Sequence, residues 1–297
     1  MSAVSLVKIR KNNFENAIYK SLDLIDYNFS KNTHNVVIKP NLCYYFDYTT
    51  GYTTDPNFVA ALAKIVRNGI SKDVEVNVVE SDASAMKCKH AFKMLGYEKM
   101  AKRHGLNLVN LSEDECEKAE VTLGNRVMHF MIPRTIEKAD LRINVPKIKY
   151  TMRSAKMTCA LKNIFGCNPY PQKYKYHEQL NQVIVAINKA MKFDLCVVDG
   201  NVVFGERARR LGLVISSRDN VSVDSACAKI MGLNPKRIKC LQLAEKEKIG
   251  QTSFMVKGNP LDYFATRFPR YGYFTLIKNQ AFYYLTKFGV TARLGID

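Results

Sequence analysis

The sequence predicts an α/β protein: a mostly parallel sheet with helices on both faces, followed by a basic, aromatic C-terminal extension. Three observations carry this. Short β-branched runs such as VVIKPNL and VEVNVVES alternate with amphipathic stretches of helical period. Helix start and stop signals punctuate them. The apolar fraction of 47% over 297 residues is enough for a full core. In order, VSLVKIR (4–10) reads as a strand and 13–26 as a helix, with Phe14, Ile18, Leu22 and Ile25 on one face. VVIKPNL is the second strand. The next helix has Thr54 or Asp55 as its cap, Pro56 at its first position and Gly69 at its end. VEVNVVES is a strand, 84–104 is helical, and LNLVNL is another strand. A second cycle opens near residue 126 with the strands RVMHFMI and ADLRINVP. Helices over 154–166 and 178–192, the strands FDLCVVDG and LGLVISSRD, and a helix over 221–232 complete it. Residues 1–258 form the α/β domain, readable as one unit or as two halves, 1–125 and 126–258. Residues 259–297 are the extension.

Charge is the strongest global number. Lys plus Arg is 45 against 27 for Asp plus Glu, a net +18, which favours anionic partners: nucleic acid, anionic lipid or phosphorylated small molecules. No run approaches the ~20 apolar residues of a membrane span, and the first residues lack the apolar core of a signal peptide. The expectation is a cytoplasmic protein. The 8 cysteines have no C-x-x-C spacing, which argues against a zinc ribbon, a disulfide scaffold and an iron–sulfur cluster. The histidines form no HxH or HExxH pattern. Neither a dinucleotide fingerprint nor a P-loop is present.

Parallel α/β sheets bind ligands beyond the carboxyl ends of their strands. On that rule the charged and amide residues at the predicted strand ends, Lys39 and Asn41, Glu80, Lys147 and Lys149, Asp199 and Asp219, form one candidate site, with Lys39, Asn41, Glu80, Lys149, Asp199 and Asp219 as candidate ligand-binding residues. Lys162 and Asn163 join them from the ALKNIFG helix. Lysine offers a point charge and asparagine directed hydrogen bonds to phosphate or carboxylate. Asp199 and Asp224 are candidate Mg²⁺ ligands, since Mg²⁺ commonly uses one or two carboxylates plus substrate phosphate oxygens. A carboxylate here could equally be a general base or a lysine's ion-pair partner. Arg207, Arg209 and Arg210 lie beside the same loops.

The ordered set VVIKPNLC, TTDPNFVAALAKIVRNG, VNVVES, ADLRINVPKIK, TCALKNIFG, DLCVVDG and VISSRDNVSVDSACAKIMG resembles the family called domain of unknown function 362, over residues 33–258. The resemblance implies no single activity. It implies kinship with iron–sulfur proteins, many of which carry an appended ferredoxin-like cysteine cluster. This chain has no such cluster. It has NVVFGERARRLG where members often have a glycine-proline-rich stretch, and Tyr150 and Thr151 after Lys149 where members often have a histidine. Three functions stay open at this point. One is binding or conversion of an anionic small molecule, with Mg²⁺ as a candidate cofactor. Another is an accessory role toward a redox partner protein. The last is charge-driven nucleic-acid binding. In the extension, Tyr273, Ile277, Ala281, Tyr284, Leu285 and Phe288 share a helical face. That face could dock on its own domain, lie on an anionic membrane or stack on single-stranded nucleic acid.

Overall fold

The computed structural model describes residues 1–151 and 156–272. In chain order the elements are β1 (Ser2–Lys8), α1 (Phe14–Asp23), β2 (Asn35–Pro40), α2 (Pro56–Gly69), β3 (Glu75–Glu80), α3 (Cys88–Met94), α4 (Tyr97–His104) and β4 (Asn107–Asn110). A hairpin follows, β5 (Cys116–Leu123) and β6 (Arg126–Pro133). Then come α5 (Arg134–Glu137), β7 (Leu141–Val145), β8 (Lys147–Tyr150), β9 (Met157–Thr158), α6 (Ala160–Phe165) and α7 (Leu180–Ala190). The chain closes with β10 (Leu195–Phe204), β11 (Ala208–Ser217), α8 (Asn220–Ile230), α9 (Lys239–Lys246), β12 (Phe254–Gly258) and α10 (Leu261–Ala265).

The main sheet runs β12-β1-β11-β10-β7-β2-β3-β4, with β8 on β10 and β9 on β8. Along this path every pairing is parallel except the two made by β11, which runs against both β1 and β10. Strands from residues 1–125 and 126–258 interleave in this one sheet. The period-2 alternation of β2 feeds two cores. Val36 and Ile38 pack with α1 to α4, and Val37 with the layer of α6 to α9. Sheets covered on both faces need such continuous apolar strands, which is why VVI lacks the polar alternation of a half-exposed sheet.

Several expectations are corrected. Residues 84–104 make two helices, because Gly96 at φ +79° breaks the run between them. RVMHFMI does not enter the main sheet. It pairs with β5, which the sequence reading missed, in a separate two-stranded ribbon. The helix placed at 154–166 begins only at Ala160. LGLVISSRD is antiparallel, the return arm of a long hairpin with β10. Within the extension, Phe264 and Phe268 are buried in the core beneath α8. Its helical face from Tyr273 onward lies outside the described residues.

The carboxyl edge is set by chain breaks. Pro40 ends β2 and Pro146 separates β7 from β8; a proline has no N–H to continue a ladder. The β10–β11 hairpin extends past that edge, and β8 lies against it with Lys147 opposite Asp199 and Lys149 opposite Phe204.

Candidate functional site

Lys39 is 1% exposed, so its ammonium needs partners inside the protein. It finds Glu80 Oε2 at 2.9 Å and the Pro40 carbonyl at 2.7 Å. Glu80 closes the neighbouring strand and is itself fully engaged: Leu42 N donates to Oε2 at 3.2 Å and Ser81 N to Oε1 at 3.0 Å. A second buried pair lies across the sheet, Lys147 Nζ to Asp199 Oδ2 at 3.0 Å. Asp199 also accepts from Asp55 N at 2.9 Å and Asn201 N at 3.0 Å. It thereby ties the start of α2 to β10.

Asp55 caps α2 by accepting from Asn57 N at 2.8 Å. Burial, and then the nearby Asp199 carboxylate, push its carboxyl up to about 6. The folded protein therefore binds a proton at Asp55 more tightly than the unfolded chain does. The stability it contributes falls as pH rises through roughly 4 to 6. Asp55→Asn keeps a capping oxygen and removes the titration. Its stability relative to the parent is expected to rise over that window, by up to roughly 2 kcal/mol. Paired denaturation curves at pH 4 and pH 6.5 check this, and a constant difference would contradict it.

Between the two ion pairs runs a chain of amides. Asn41 Nδ2 donates to Asn163 Oδ1 at 3.1 Å, and Asn163 Nδ2 donates to the Lys39 carbonyl at 3.0 Å and to Asn144 Oδ1 at 2.8 Å. Asn144 in turn donates to the Ala160 carbonyl at 3.0 Å. These bonds lock α6 onto the ends of β2 and β7.

Lys149 differs from Lys39 and Lys147. It is 5% exposed, yet among the described residues no carboxylate forms an ion pair with it. Its ammonium donates to Asn41 Oδ1 and to the Tyr52 carbonyl, each at 2.8 Å, and lies against the Cys43 thiol and the Tyr52 ring. Burial pulls its pKa down. Thiol sulfur is a weak acceptor, and Cys43 is only half-buried. The weakest contact of this buried cation is therefore the one it makes with half-buried Cys43.

Two further groups close the edge. Lys173, half-buried on the segment before α7, donates to Ser81 Oγ and to the Asp82 carbonyl, and burial pulls its amine down to about 8. The loop over 43–52 is fixed by Asp47, whose side chain accepts from Thr49 N at 2.9 Å. Gly51, at φ +78°, packs so closely on β10 that a Cβ there would sit 2.6 Å from the Val203 carbonyl carbon.

The structure thus gathers Lys39, Asn41, Glu80, Lys149, Asn163 and Asp199 at one edge. It does not bring in the rest. Lys162 lines a small crevice with Met157, Asp224 and Leu241, where its amine lies 3.2 Å from Thr158 Oγ1. Asp219 follows the antiparallel β11, so it sits at the opposite, amino edge. There it caps α8 through Val221 N and Ser222 N. Asp224 accepts from Ala160 N at 2.6 Å and Leu161 N at 3.1 Å, holding the start of α6; burial pushes its carboxyl to about 7. Asp199 and Asp224 share no hydrogen-bond partner among those found. Among the described residues no group of three His, Cys, Asp or Glu side chains is placed to hold a metal ion. Arg207, Arg209 and Arg210 are exposed at the hairpin tip. Asn144, Asp55 and Lys173 were absent from the predicted site. Nothing in the sequence around Lys173 marks it.

The sequence model of a family described as Domain of unknown function (DUF362) matches residues 36–229, more than half of the chain. The chain belongs to the DUF362 family. The matched span of this DUF362 protein contains every residue of the edge cluster. The chain is also 26% identical over 237 residues to the thylakoid-associated protein sll1697 of Synechocystis sp., covering 75% of this chain and 70% of that protein. Among solved structures it resembles the lactate racemase apoprotein from Thermoanaerobacterium thermosaccharolyticum, with a TM-score of 0.49 and 13% identity. That match covers 78% of this chain and 58% of the other. No helix among the described residues is long and apolar enough to cross a membrane.

Proposed function

We propose that this DUF362 protein binds an anionic small molecule, phosphorylated or carboxylated, at the carboxyl edge of its sheet. Lys149 would receive the charge. The observation that carries this reading is the buried Lys149 ammonium with two neutral oxygen acceptors and no carboxylate partner among the described residues. Taking a cation out of water costs several kcal/mol unless a counter-charge is supplied. Lys39 and Lys147 have theirs from Glu80 and Asp199. An arriving anion would supply the third and would displace only the thiol contact. Asn41 would orient the amine from below, and its own link to Asn163 and α6 keeps it in place.

The anion would enter past Cys43. Inorganic phosphate is therefore expected to slow iodoacetamide labelling of Cys43 severalfold, while labelling of Cys116, half-buried on the distant β5 ribbon, stays unchanged. Peptide mapping by mass spectrometry reads both rates. Equal protection of the two thiols, or none, would remove the support for this entry path.

A further inference from the structure

We infer that the ligand's anionic end is joined, through a short chain, to a planar aromatic ring that stacks at Phe46. The ligand class is thus a mononucleotide-like phosphate ester. The inference rests on the reading that Lys149 holds an anion. Aromatic rings lead outward from that ammonium. The Tyr52 ring centroid is 5.3 Å from Lys149 Nζ, and Tyr52 lies against Phe204 at 4.3 Å and against Phe46 at 5.2 Å, both tilted by 32°. Tyr44 meets Phe46 edge-on at 6.2 Å and 85°. Tyr44 and Phe46 are each 49% exposed. Adjacent exposed rings two ring contacts from that ammonium offer a stacking platform for a flat guest.

The platform is built rather than loose. Gly51 seats the far end of the loop on β10, and the Tyr45 hydroxyl accepts from Lys87 N at 3.0 Å. Its spacing sets the ligand's length. Tyr52 stands between Phe46 and Lys149 as two successive contacts, 5.2 Å to Phe46 and 5.3 Å to the ammonium. A ring stacked on the outer side of Phe46 therefore cannot carry its acid directly, as a simple arenecarboxylate does. A sugar phosphate or ribityl phosphate arm spans the gap.

Flavin mononucleotide, adenosine monophosphate, riboflavin and inorganic phosphate are the probes, titrated by calorimetry and, for the flavins, by fluorescence quenching. At least one of the two phosphate esters is expected to bind tenfold or more tighter than inorganic phosphate, and flavin mononucleotide tighter than riboflavin. Phe46→Leu should lower affinity for the better ester about tenfold and leave that for inorganic phosphate unchanged. Tyr44→Ser, a second exposed position, should act in the same direction. If neither ester binds more tightly than inorganic phosphate, while phosphate binding is lost in Lys149→Met, the inference is overturned and the anion site stands. If riboflavin binds as well as flavin mononucleotide, ring and charge are not recognised together and the inference also fails. If no probe binds, the anion reading itself fails and takes this inference with it.

Discussion

Lys39→Met should destabilise the protein by roughly 3–5 kcal/mol, the cost of stranding one member of a buried ion pair. The sequence suggests a ligand-facing lysine here, but its ammonium is spent on Glu80 and the Pro40 carbonyl. Methionine fills the space without the charge. Glu80 then keeps its two backbone donors and loses its ion-pair partner. The double variant Lys39→Met with Glu80→Gln should recover part of the loss, because no charge is left buried. Urea denaturation of the three variants checks this. A Lys39→Met protein as stable as its parent would return Lys39 to the ligand.

Lys149→Met is expected to behave in the opposite way. Removing the ammonium relieves its desolvation but leaves Asn41 Oδ1 and the Tyr52 carbonyl without a donor, each costing roughly 1–3 kcal/mol. These effects oppose each other, and the ligand-free protein should change in stability by less than about 1 kcal/mol. Anion affinity, by contrast, should fall roughly ten- to hundredfold with the loss of a charge-assisted hydrogen bond of about 1.5–3 kcal/mol. The pH dependence follows from the lowered pKa of Lys149. The unfolded chain holds that proton more tightly, so stability from this residue rises with pH between its folded and unfolded values. Anion binding weakens over the same range as the ammonium is lost.

Much of the frame was legible from local chemistry. The β-branched VVI followed by Lys39 and Pro40 marks a buried strand with an abrupt end. Asp55 and Pro56 mark a helix start, and both occupy those places. What local pattern does not carry is which charges meet. Lys39 and Glu80 are 41 residues apart, Lys147 and Asp199 52, and Lys149 and Asn41 108. That Lys149, alone of the buried lysines, forms no ion pair among the described residues depends on all these pairings at once. Asp219 shows the reverse failure. It follows an apolar strand like the others, but β11 runs antiparallel, and strand direction is not written in a strand's own residues. Lys162 lies on α6 and Asp224 on α8, where it holds the start of α6, both away from the edge cluster. Helical spacing gave α6 its apolar residues without saying which flank faces the sheet edge.

The most direct test of the central claim is the melting temperature of the parent protein and of Lys149→Met in inorganic phosphate, against chloride at matched ionic strength. With a net charge of +18, any anion screens the surface, so only the difference between the two proteins is informative. The account predicts that phosphate raises the melting temperature of the parent above its chloride value and leaves Lys149→Met at its chloride value. Equal shifts in both proteins, or no shift in either, would contradict an anion site at Lys149.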